Sequence, residues 1–320
     1  MAWVVAVGAG VQDVFLSNSA ALQPIYEDSE HSFAKLELGA KADVDEIHFT
    51  TGGGATNAAV TFARQGHRAC FMGVVGHDPA GQAVLADLDH EHVDTCYVRF
   101  SDQYNTAYSV LLLASNGERT ILTYRGASSH YHADDFDLSG CSADWLYVST
   151  LAGDMTVLRR IFDQARQQRI RICFNPGKRE LAQRTLLMGL LEDVDVLVAN
   201  KQEMQQLVAG DDLESLVRHG LHLVPTVVLT DGVNGSMVSD GQTIVRAGLY
   251  EDGLSRDRTG AGDAFASGFL SQWMSGASLE ESVIFASANA SSVVSSIGAK
   301  AGILSAGSRL HAMPIHQKGV

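Results

Sequence analysis

The segment TGAGDAFASGFLSQW, residues 259–273, places three small residues directly before a carboxylate: Gly260, Ala261 and Gly262. Aromatic side chains then recur at every fourth position, which predicts a helix that begins near Gly262 or Asp263. Backbone N–H groups that small residues leave uncovered, together with the positive end of the helix dipole, form an anion site. The segment therefore predicts a turn that binds a phosphate group.

Asp263, the carboxylate of this segment, would repel a phosphate bound at the turn, so anion binding alone does not explain it. It suits a group that orients and deprotonates an incoming hydroxyl while the N–H groups hold the phosphoryl group in transfer. The alternative is that Asp263 only caps the helix, which is a common use of aspartate. The segment alone leaves both interpretations open.

A second cluster, Gly52 to Gly54, stands between a predicted strand and a predicted helix. A bare turn lets a ligand approach the backbone closely, and Asn57 in the first helical turn offers a donor and an acceptor to a sugar hydroxyl. The alternative is a flexible hinge in which Asn57 caps the helix.

Near the amino end, Gly8, Gly10 and Asp13 follow an apolar strand in the spacing of an incomplete dinucleotide fingerprint, G-x-G-x-x-G. The acid in place of the third glycine argues against NAD and a nicotinamide-dependent oxidoreductase. Asp13 is better suited to accept hydrogen bonds from the hydroxyls of a neutral substrate. A solvated loop acid is the alternative.

Two later strand ends carry residues typical of nucleotide sites. Asn200 and Glu203 in LVANKQE suit a magnesium ion held through its waters, because Mg²⁺ prefers oxygen ligands and keeps several waters. Thr230, Gly232 and Gly235 in LTDGVNGS form a turn that could lie beneath phosphates or ribose. Taken alone, each segment is better explained by ordinary turn chemistry.

Composition narrows the class of partner. The net charge of −14, with 23 Lys and Arg against 37 Asp and Glu, argues against a nucleic-acid surface. No stretch reaches the about 18 apolar residues that a membrane helix needs, and the start lacks the features of a signal peptide. Four cysteines without C-x-x-C spacing indicate reduced core thiols rather than a disulfide framework or a zinc site. We therefore expect a cytoplasmic protein that acts on small molecules.

Short β-branched runs alternate with helix-period segments along most of the chain, which indicates a mostly parallel sheet covered on both faces. Residues 33–50 and 97–125 instead alternate apolar and polar positions, with a hairpin signal at Asn116-Gly117. They predict a small antiparallel sheet that serves as a lid or as a clasp between two copies of the chain, and an edge extension of the main sheet is the alternative. Residues 311–320 are expected to be a loosely held end.

These motifs, in this order, resemble those of the ribokinase family, also called the PfkB sugar kinases. GGGATNAAVTFARQG is similar to the family's N-terminal signature, and DRTGAGDAFASGFL is similar to its C-terminal one. The resemblance implies an α/β fold with a three-layer α/β/α ribokinase-like core, a mostly parallel sheet and a small β-sheet lid. We assign residues 1–13, 50–95 and 127–320 to the core, and residues 14–49 and 96–126 to a discontinuous lid.

The resemblance also implies ATP-dependent phosphorylation of a sugar hydroxyl with Mg²⁺, and it leaves a monovalent cation open. Asp263 becomes the general base, with the 260–262 turn as the anion hole. The implied acceptor contacts are Asp13, Gly53, Gly54, Asn57 and Arg125. The implied ATP contacts are Asn200, Thr230, Gly232, Gly235 and Asn289. Glu203 is implied to hold Mg²⁺ through a water.

Several alternatives stay open within this resemblance. A nucleoside kinase of the same fold, of the adenosine type, would stack the base on lid aromatics, so Phe33, Phe49 and Tyr108 at the cleft would favour it. Polar lid contacts would favour a sugar. Arg258 stands where the family usually has a small or hydroxyl residue, and it either contacts a phosphate or points away. Ser287 competes with Asn289 for the adenine contact, and a homodimer through the lid is a further expectation.

Overall fold

A computed structural model describes residues 1–17, 19–27, 32–115, 118–250 and 257–320. The hairpin signal at Asn116-Gly117 lies outside these ranges. The strands are β1 Trp3–Val7, β2 Val11–Ser17, β3 Ile25–Tyr26, β4 Ser32–Phe33, β5 Glu46–Gly52, β6 Arg68–Gly76, β7 Asp94–Ser101, β8 Ala107–Leu113, β9 Arg119–Tyr124, β10 Trp145–Val148, β11 Arg171–Phe174, β12 Val196–Asn200, β13 Thr226–Thr230, β14 Ser236–Ser239, β15 Thr243–Ala247 and β16 Ile315–Gly319. The α-helices are α1 Gly54–Arg64, α2 Pro79–His90, α3 Met155–Gln168, α4 Lys178–Leu181, α5 Arg184–Met188, α6 Lys201–Leu207, α7 Leu213–Gly220, α8 Ala261–Trp273 and α9 Leu279–Val294.

A large sheet runs through the centre of the molecule in the order β16-β15-β14-β13-β12-β11-β10-β1-β6-β7. From β7 to β13 the neighbouring strands are parallel, and β14, β15 and β16 continue the sheet in antiparallel pairs. The prediction of a mostly parallel sheet is thus confirmed.

Helices cover both faces of this sheet. Along β1, Val5 and Val7 point into a core shared with α3, α6 and α7. Val4 and Ala6 point into a second core shared with α1, α2, α8 and α9. Because successive strand residues face opposite sides, a central strand must be apolar throughout to serve both cores. The three-layer α/β/α arrangement is confirmed.

The first two helices begin and end as their local sequence requires. Asp78 caps α2 by accepting a hydrogen bond from the N–H of Gly81 at 2.8 Å, and Pro79 occupies the first helical turn, where its missing N–H costs nothing. Gly66 follows α1 with a φ of +79°, the left-handed conformation that glycine adopts without strain.

A smaller sheet of the order β5-β2-β8-β9 stands beside the large one. It is not wholly antiparallel as predicted, since β2 and β8 pair in parallel. The predicted boundaries also differ from the strand pairing. Residues 96–101 belong to β7, which pairs with β6 at the edge of the large sheet, and β2 of the small sheet already begins at Val11. An edge strand has one exposed face, so it shows the same alternation as a lid strand. The division of the chain into core and lid stays a prediction.

The carboxyl-terminal segment is not a loose end. β16 pairs with β15 over the whole of Thr243–Ala247 and completes one edge of the large sheet. This expectation was wrong because β16, IHQKG, is polar and mostly exposed, and it is held by backbone hydrogen bonds that leave no hydrophobic pattern. Within the described ranges, no helix combines the length and the apolar character needed to cross a membrane.

The expectation of core thiols holds for three of the four cysteines. Cys70, Cys141 and Cys173 are buried, whereas Cys96 on the edge strand β7 is exposed. A thiol on an exposed strand face is available to solvent, unlike the other three.

Candidate active site

The predicted anion turn lies at the amino end of α8. Gly260 is the N-cap residue with a φ of +79°, and a Cβ atom placed there would lie 2.5 Å from Cβ of Ala299, so only glycine is accommodated. The first N–H groups of a helix have no partner within the helix. Gly262 is exposed with open space around it, whereas the N–H group of Ala261 donates a long hydrogen bond of 3.4 Å to the carbonyl oxygen of Arg258. The helix begins one residue earlier than predicted, at Ala261.

Asp263 does not cap this helix. The N-cap residue is Gly260, and the Asp263 carboxylate instead accepts a hydrogen bond from the side-chain amide of Asn57 at 2.9 Å. A Cβ atom on Gly54 would lie only 3.2 Å from Oδ1 of Asp263, so this glycine lets α1 approach the carboxylate closely. The two glycine-rich segments, far apart in sequence, therefore meet at Asp263.

The electrostatics of Asp263 favour proton uptake. Burial raises the pKa of its carboxyl group, and the hydrogen bond from Asn57 acts in the opposite direction. Asn57 is only 3% exposed, and its Oδ1 atom is buried without a hydrogen-bond partner among the described residues. Asn57 therefore orients Asp263 with one side-chain atom and has an unused acceptor on the other.

Gly53 is required by packing. It has a φ of +102°, and a Cβ atom there would lie 2.2 Å from the carbonyl oxygen of Ala9. The turn before α1 thus rests directly on the turn after β1, and this contact accounts for the residue whether or not a ligand also touches it.

Asp13 lies in the middle of β2, between Thr50 of β5 and Ser109 of β8 in the strand register. Residues paired in this way point to the same face of a sheet, so the three side chains form one polar face. Asp13 is 7% exposed. Burial raises its pKa to about 6, while a hydrogen bond with Ser109 and the charge of Lys300 act against that rise.

The aromatic residues proposed for a nucleoside base lie elsewhere. Phe49 and Tyr108 each precede a member of the Asp13 face by one position, so their side chains point to the other side of the small sheet. Phe33 belongs to the separate pair of strands β3 and β4 and is 49% exposed.

Lys300 is a buried cation near this face that the sequence analysis missed. Its Nζ atom lies 2.8 Å from the Asp87 carboxylate and 2.6 Å from Oγ1 of Thr51, and Thr51 also donates a hydrogen bond to Asp87. The network joins α2, the carboxyl end of β5 and the loop after α9. Its members come from three distant segments, so no local pattern identifies them.

Asp257 was missed for the same reason. Its carboxylate accepts hydrogen bonds from the N–H and hydroxyl groups of Thr259 at 2.9 and 2.7 Å, and from the N–H of Gly298 at 3.2 Å. Arg119 of β9 approaches it to 3.8 Å. Asp257 therefore fixes the start of the turn that leads to Asp263 and links it to the small sheet.

The residues predicted for the nucleotide lie at the carboxyl ends of two neighbouring strands. Asn200 and Thr230 are the last residues of β12 and β13 and are paired in the register. Asn200 and Glu203 form a capping box at the start of α6, with both hydrogen bonds at 2.9 Å. Burial raises the pKa of Glu203. The capping box uses one carboxylate oxygen of Glu203, and the other fits a water of a magnesium ion.

The glycines of the following turn have different surroundings. Gly232 has a φ of +55° and open space around it. Gly235 has a φ of +86°, and a Cβ atom there would lie 2.1 Å from the carbonyl oxygen of Ala247. Gly235 is thus required by packing, and Gly232 leaves room above the strand end.

Asn289 is not placed for a nucleotide contact. It is fully buried, its amide donates to the carbonyl of Ala264 at 2.8 Å, and its Oδ1 accepts the N–H of Leu304 at 2.9 Å. Its side chain thus joins α9 to α8 and to the following loop. Ser287 is also buried and donates to the carbonyl of Val283.

Two arginines lie on the surface. Arg125 and Arg258 are both exposed, and within the described ranges no hydrogen bond or ion pair joins either side chain to Asp13 or Asp263. Arg258 follows directly after Asp257, so its side chain starts beside the anion turn.

Comparisons with known proteins agree with this arrangement. A model of the pfkB family carbohydrate kinases matches residues 20–306. An ATP-dependent 6-phosphofructokinase of Thermoanaerobacterium thermosaccharolyticum is 26% identical over 77% of this chain and 80% of its own length. A fructokinase of Klebsiella pneumoniae is 30% identical over 68% of this chain and 75% of its own.

A solved structure shows the same fold. The nucleoside kinase of Methanocaldococcus jannaschii, an archaeal member of the ribokinase family, superposes with a TM-score of 0.77 at 20% identity, covering 95% of each chain. The family match spans most of the chain, and the large, mostly parallel sheet with helices on both faces and a smaller sheet beside it agrees with the fold that the resemblance implies. The chain therefore belongs to the pfkB family of carbohydrate kinases, with a ribokinase-like fold.

Proposed function

We propose that the protein transfers the terminal phosphoryl group of ATP to a hydroxyl of a sugar, with Asp263 as the general base. The observation that carries this proposal is the contact between the two glycine-rich segments. It puts a carboxylate of raised pKa at the amino end of α8, where Gly262 is exposed. A proton acceptor and an anion site in one place are what transfer to a hydroxyl requires.

In this proposal the N–H groups of Gly260, Ala261 and Gly262 hold the oxygens of the phosphoryl group as charge redistributes during transfer. Asp263 accepts the proton of the attacking hydroxyl. Asn57 fixes the direction of that carboxylate, and its unused Oδ1 accepts a hydrogen bond from a second hydroxyl of the acceptor.

The ATP side is assigned to the ends of β12 and β13. Asn200, Thr230 and Gly232 border the nucleotide, and Asn289 contributes only by packing. Glu203 would hold Mg²⁺ through a water, and the ion supplies neutralising charge at the phosphates when bound. A requirement for a monovalent cation stays open.

The polar face of the small sheet favours a sugar over a nucleoside. Asp13, Thr50 and Ser109 offer hydrogen-bonding groups to hydroxyls, whereas Phe49 and Tyr108 point to the opposite side. Sugar hydroxyls need such partners, and a base would need an aromatic surface on the same face. A nucleoside acceptor remains the second candidate, because the similar fold includes a nucleoside kinase.

A screen for ADP release tests the proposal. We expect ATP consumption to rise when a pentose, hexose or sugar acid is added, and to rise less with nucleosides. The fructokinase and 6-phosphofructokinase relatives make free and phosphorylated hexoses the first acceptors to measure. If no acceptor in these classes stimulates ADP release, the kinase assignment fails. If only nucleosides do, the second candidate replaces the first.

The acceptor KM should depend on the ionisation of Asp13. With a pKa of about 6, Asp13 is ionised at pH 8, and about a tenth of it remains ionised at pH 5. Protonation removes a charged hydrogen-bond acceptor, so we expect KM to rise about tenfold from pH 8 to pH 5. Asp13→Asn should have a raised KM at pH 8 and little further change at pH 5. A parallel pH profile in both proteins would show that Asp13 does not contact the acceptor.

Three further predictions remain. Arg125 as an acceptor contact would require its exposed side chain to turn towards the Asp13 face when a ligand binds.

Dimer formation through the small sheet has support from exposed apolar residues on the side opposite Asp13: Ile47, Phe49, Leu122 and Tyr124. A cytoplasmic location stays an expectation.

A further inference from the structure

A group of potential metal ligands lies on the neighbouring strands β6 and β7, at the end of these strands that is remote from Asp263. Cys70 is the third residue of β6 and Asp94 is the first residue of β7, so both lie near the amino ends of their strands. Asn200 and Thr230, which we assign to the nucleotide site, are instead the last residues of their strands and lie at the carboxyl ends. Among the described residues, Cys70, Asp94 and Cys96 are the one set of three whose ligand atoms all lie within 4.8 Å of one another.

An irregularity in the strand pairing creates this group. Cys70 pairs with Asp94, but Met72 pairs with Tyr97, so β7 contains one extra residue at this point. Such a bulge redirects the side chains around it. Oδ1 of Asp94 also accepts a hydrogen bond from the N–H of Cys96 at 2.9 Å, which fixes the carboxylate beside the two thiols.

The group has the composition of a site for a soft metal ion. Two thiolates and a carboxylate are ligands that Zn²⁺ takes, and ligand atoms about 2.3 Å from a tetrahedral ion are about 3.8 Å apart. The three atoms therefore need to approach one another by about 1 Å at most. Cys70 is buried, while Asp94 and Cys96 are exposed, so an ion can enter from solvent and a water can complete the coordination.

We propose that Cys70, Asp94 and Cys96 bind one soft divalent metal ion of the Zn²⁺ type, with water as the fourth ligand. Each thiol binds as a thiolate, so uptake of one ion releases two protons, and the three anionic ligands with the dication carry a net charge of −1. The ion links β6 to β7, the last strand at this edge of the sheet. Binding is therefore expected to raise the melting temperature without changing kinase activity.

A spectroscopic titration tests the proposal. We expect the reduced full chain to bind one Co²⁺ per molecule, with a thiolate-to-metal charge-transfer band in the ultraviolet, and Zn²⁺ to displace it. Cys96→Ser should abolish the band. Asp94→Asn should weaken Co²⁺ binding by more than the about 10–100-fold that loss of an outer partner costs. Cys173→Ser, which removes a buried thiol on β11 outside the group, should bind Co²⁺ as the parent does.

Two outcomes would overturn the proposal. One is the absence of a thiolate band in the parent at saturating Co²⁺ while all four thiols react with a thiol reagent in the unfolded chain. The other is a band of equal strength in Cys96→Ser. Far-ultraviolet circular dichroism of the variants, together with their melting temperatures without metal, separates loss of the site from loss of the fold.

Discussion

Asp263→Asn should lower kcat by about 10²–10⁴-fold, the contribution typical of a general base, and leave ATP affinity nearly unchanged. The asparagine has the size of the aspartate and can still accept the hydrogen bond that Asn57 donates at 2.9 Å, so the geometry of the turn is preserved. Only the capacity to take the proton is lost. Steady-state ADP release gives kcat, and calorimetric titration with ATP gives the affinity.

The same substitution at an exposed carboxylate is the matched control. Asp102 has a side chain that is 91% exposed, so Asp102→Asn should leave kcat and ATP affinity as they are. A kcat within a few fold of the parent in Asp263→Asn would refute the assignment of the base. A large loss of ATP affinity would show instead that Asp263 acts in nucleotide binding.

Lys300→Met should lower the free energy of unfolding by about 3 kcal/mol. Lys300 is 7% exposed, and its removal leaves the Asp87 carboxylate without the ammonium group 2.8 Å away. Breaking a buried ion pair from one side costs about 3–5 kcal/mol, and Asp87 is partly exposed, which places the effect at the lower end. Urea denaturation followed by circular dichroism measures the change.

The chain supplies a surface pair for comparison. Lys318 lies 2.6 Å from Glu214, and the side chain of Lys318 is 54% exposed, so Lys318→Met should cost at most about 1 kcal/mol. The double variant Lys300→Met with Asp87→Leu should recover part of the stability, because no uncompensated charge is left. Equal losses in the two lysine variants would show that the Lys300 network does not hold the segments together.

The features that were predicted correctly are those that a short stretch of chain determines. A run of apolar residues flanked by turns identifies a buried parallel strand, and aromatic residues at every fourth position identify a helix such as α8. The central strands of the large sheet and the start of α8 belong to this class, whereas the roles of Asp263 and the glycines near it stay predictions. Their physical cause lies within a few residues of themselves.

The features that were missed depend on contacts between distant segments. Lys300 and Asp257 matter because the fold places them against Asp87 and Gly298. Asn289 was assigned to ATP because it lies on a helix in the right order along the chain, but its orientation is set by packing against α8. The spacing of residues in the sequence predicts which helix or strand a residue belongs to. It does not predict which other helix or strand will pack against that residue.

Edge strands were the weakest part of the fold prediction for a related reason. The residues of β7 alternate like those of a lid, and those of β16 show no apolar pattern, so the partner of each strand decides its place.

The pairing of β15 with β16 also constrains how the chain can fold during synthesis. β15 ends at Ala247, and its outer partner is the much later segment Ile315–Gly319, so the hydrogen-bonding groups along that side of β15 stay without their strand partner until that segment has been made. An open strand edge is a template for pairing with another chain. A nascent chain halted before β16 therefore exposes the edge of β15, and chaperones that bind extended segments would act in that interval.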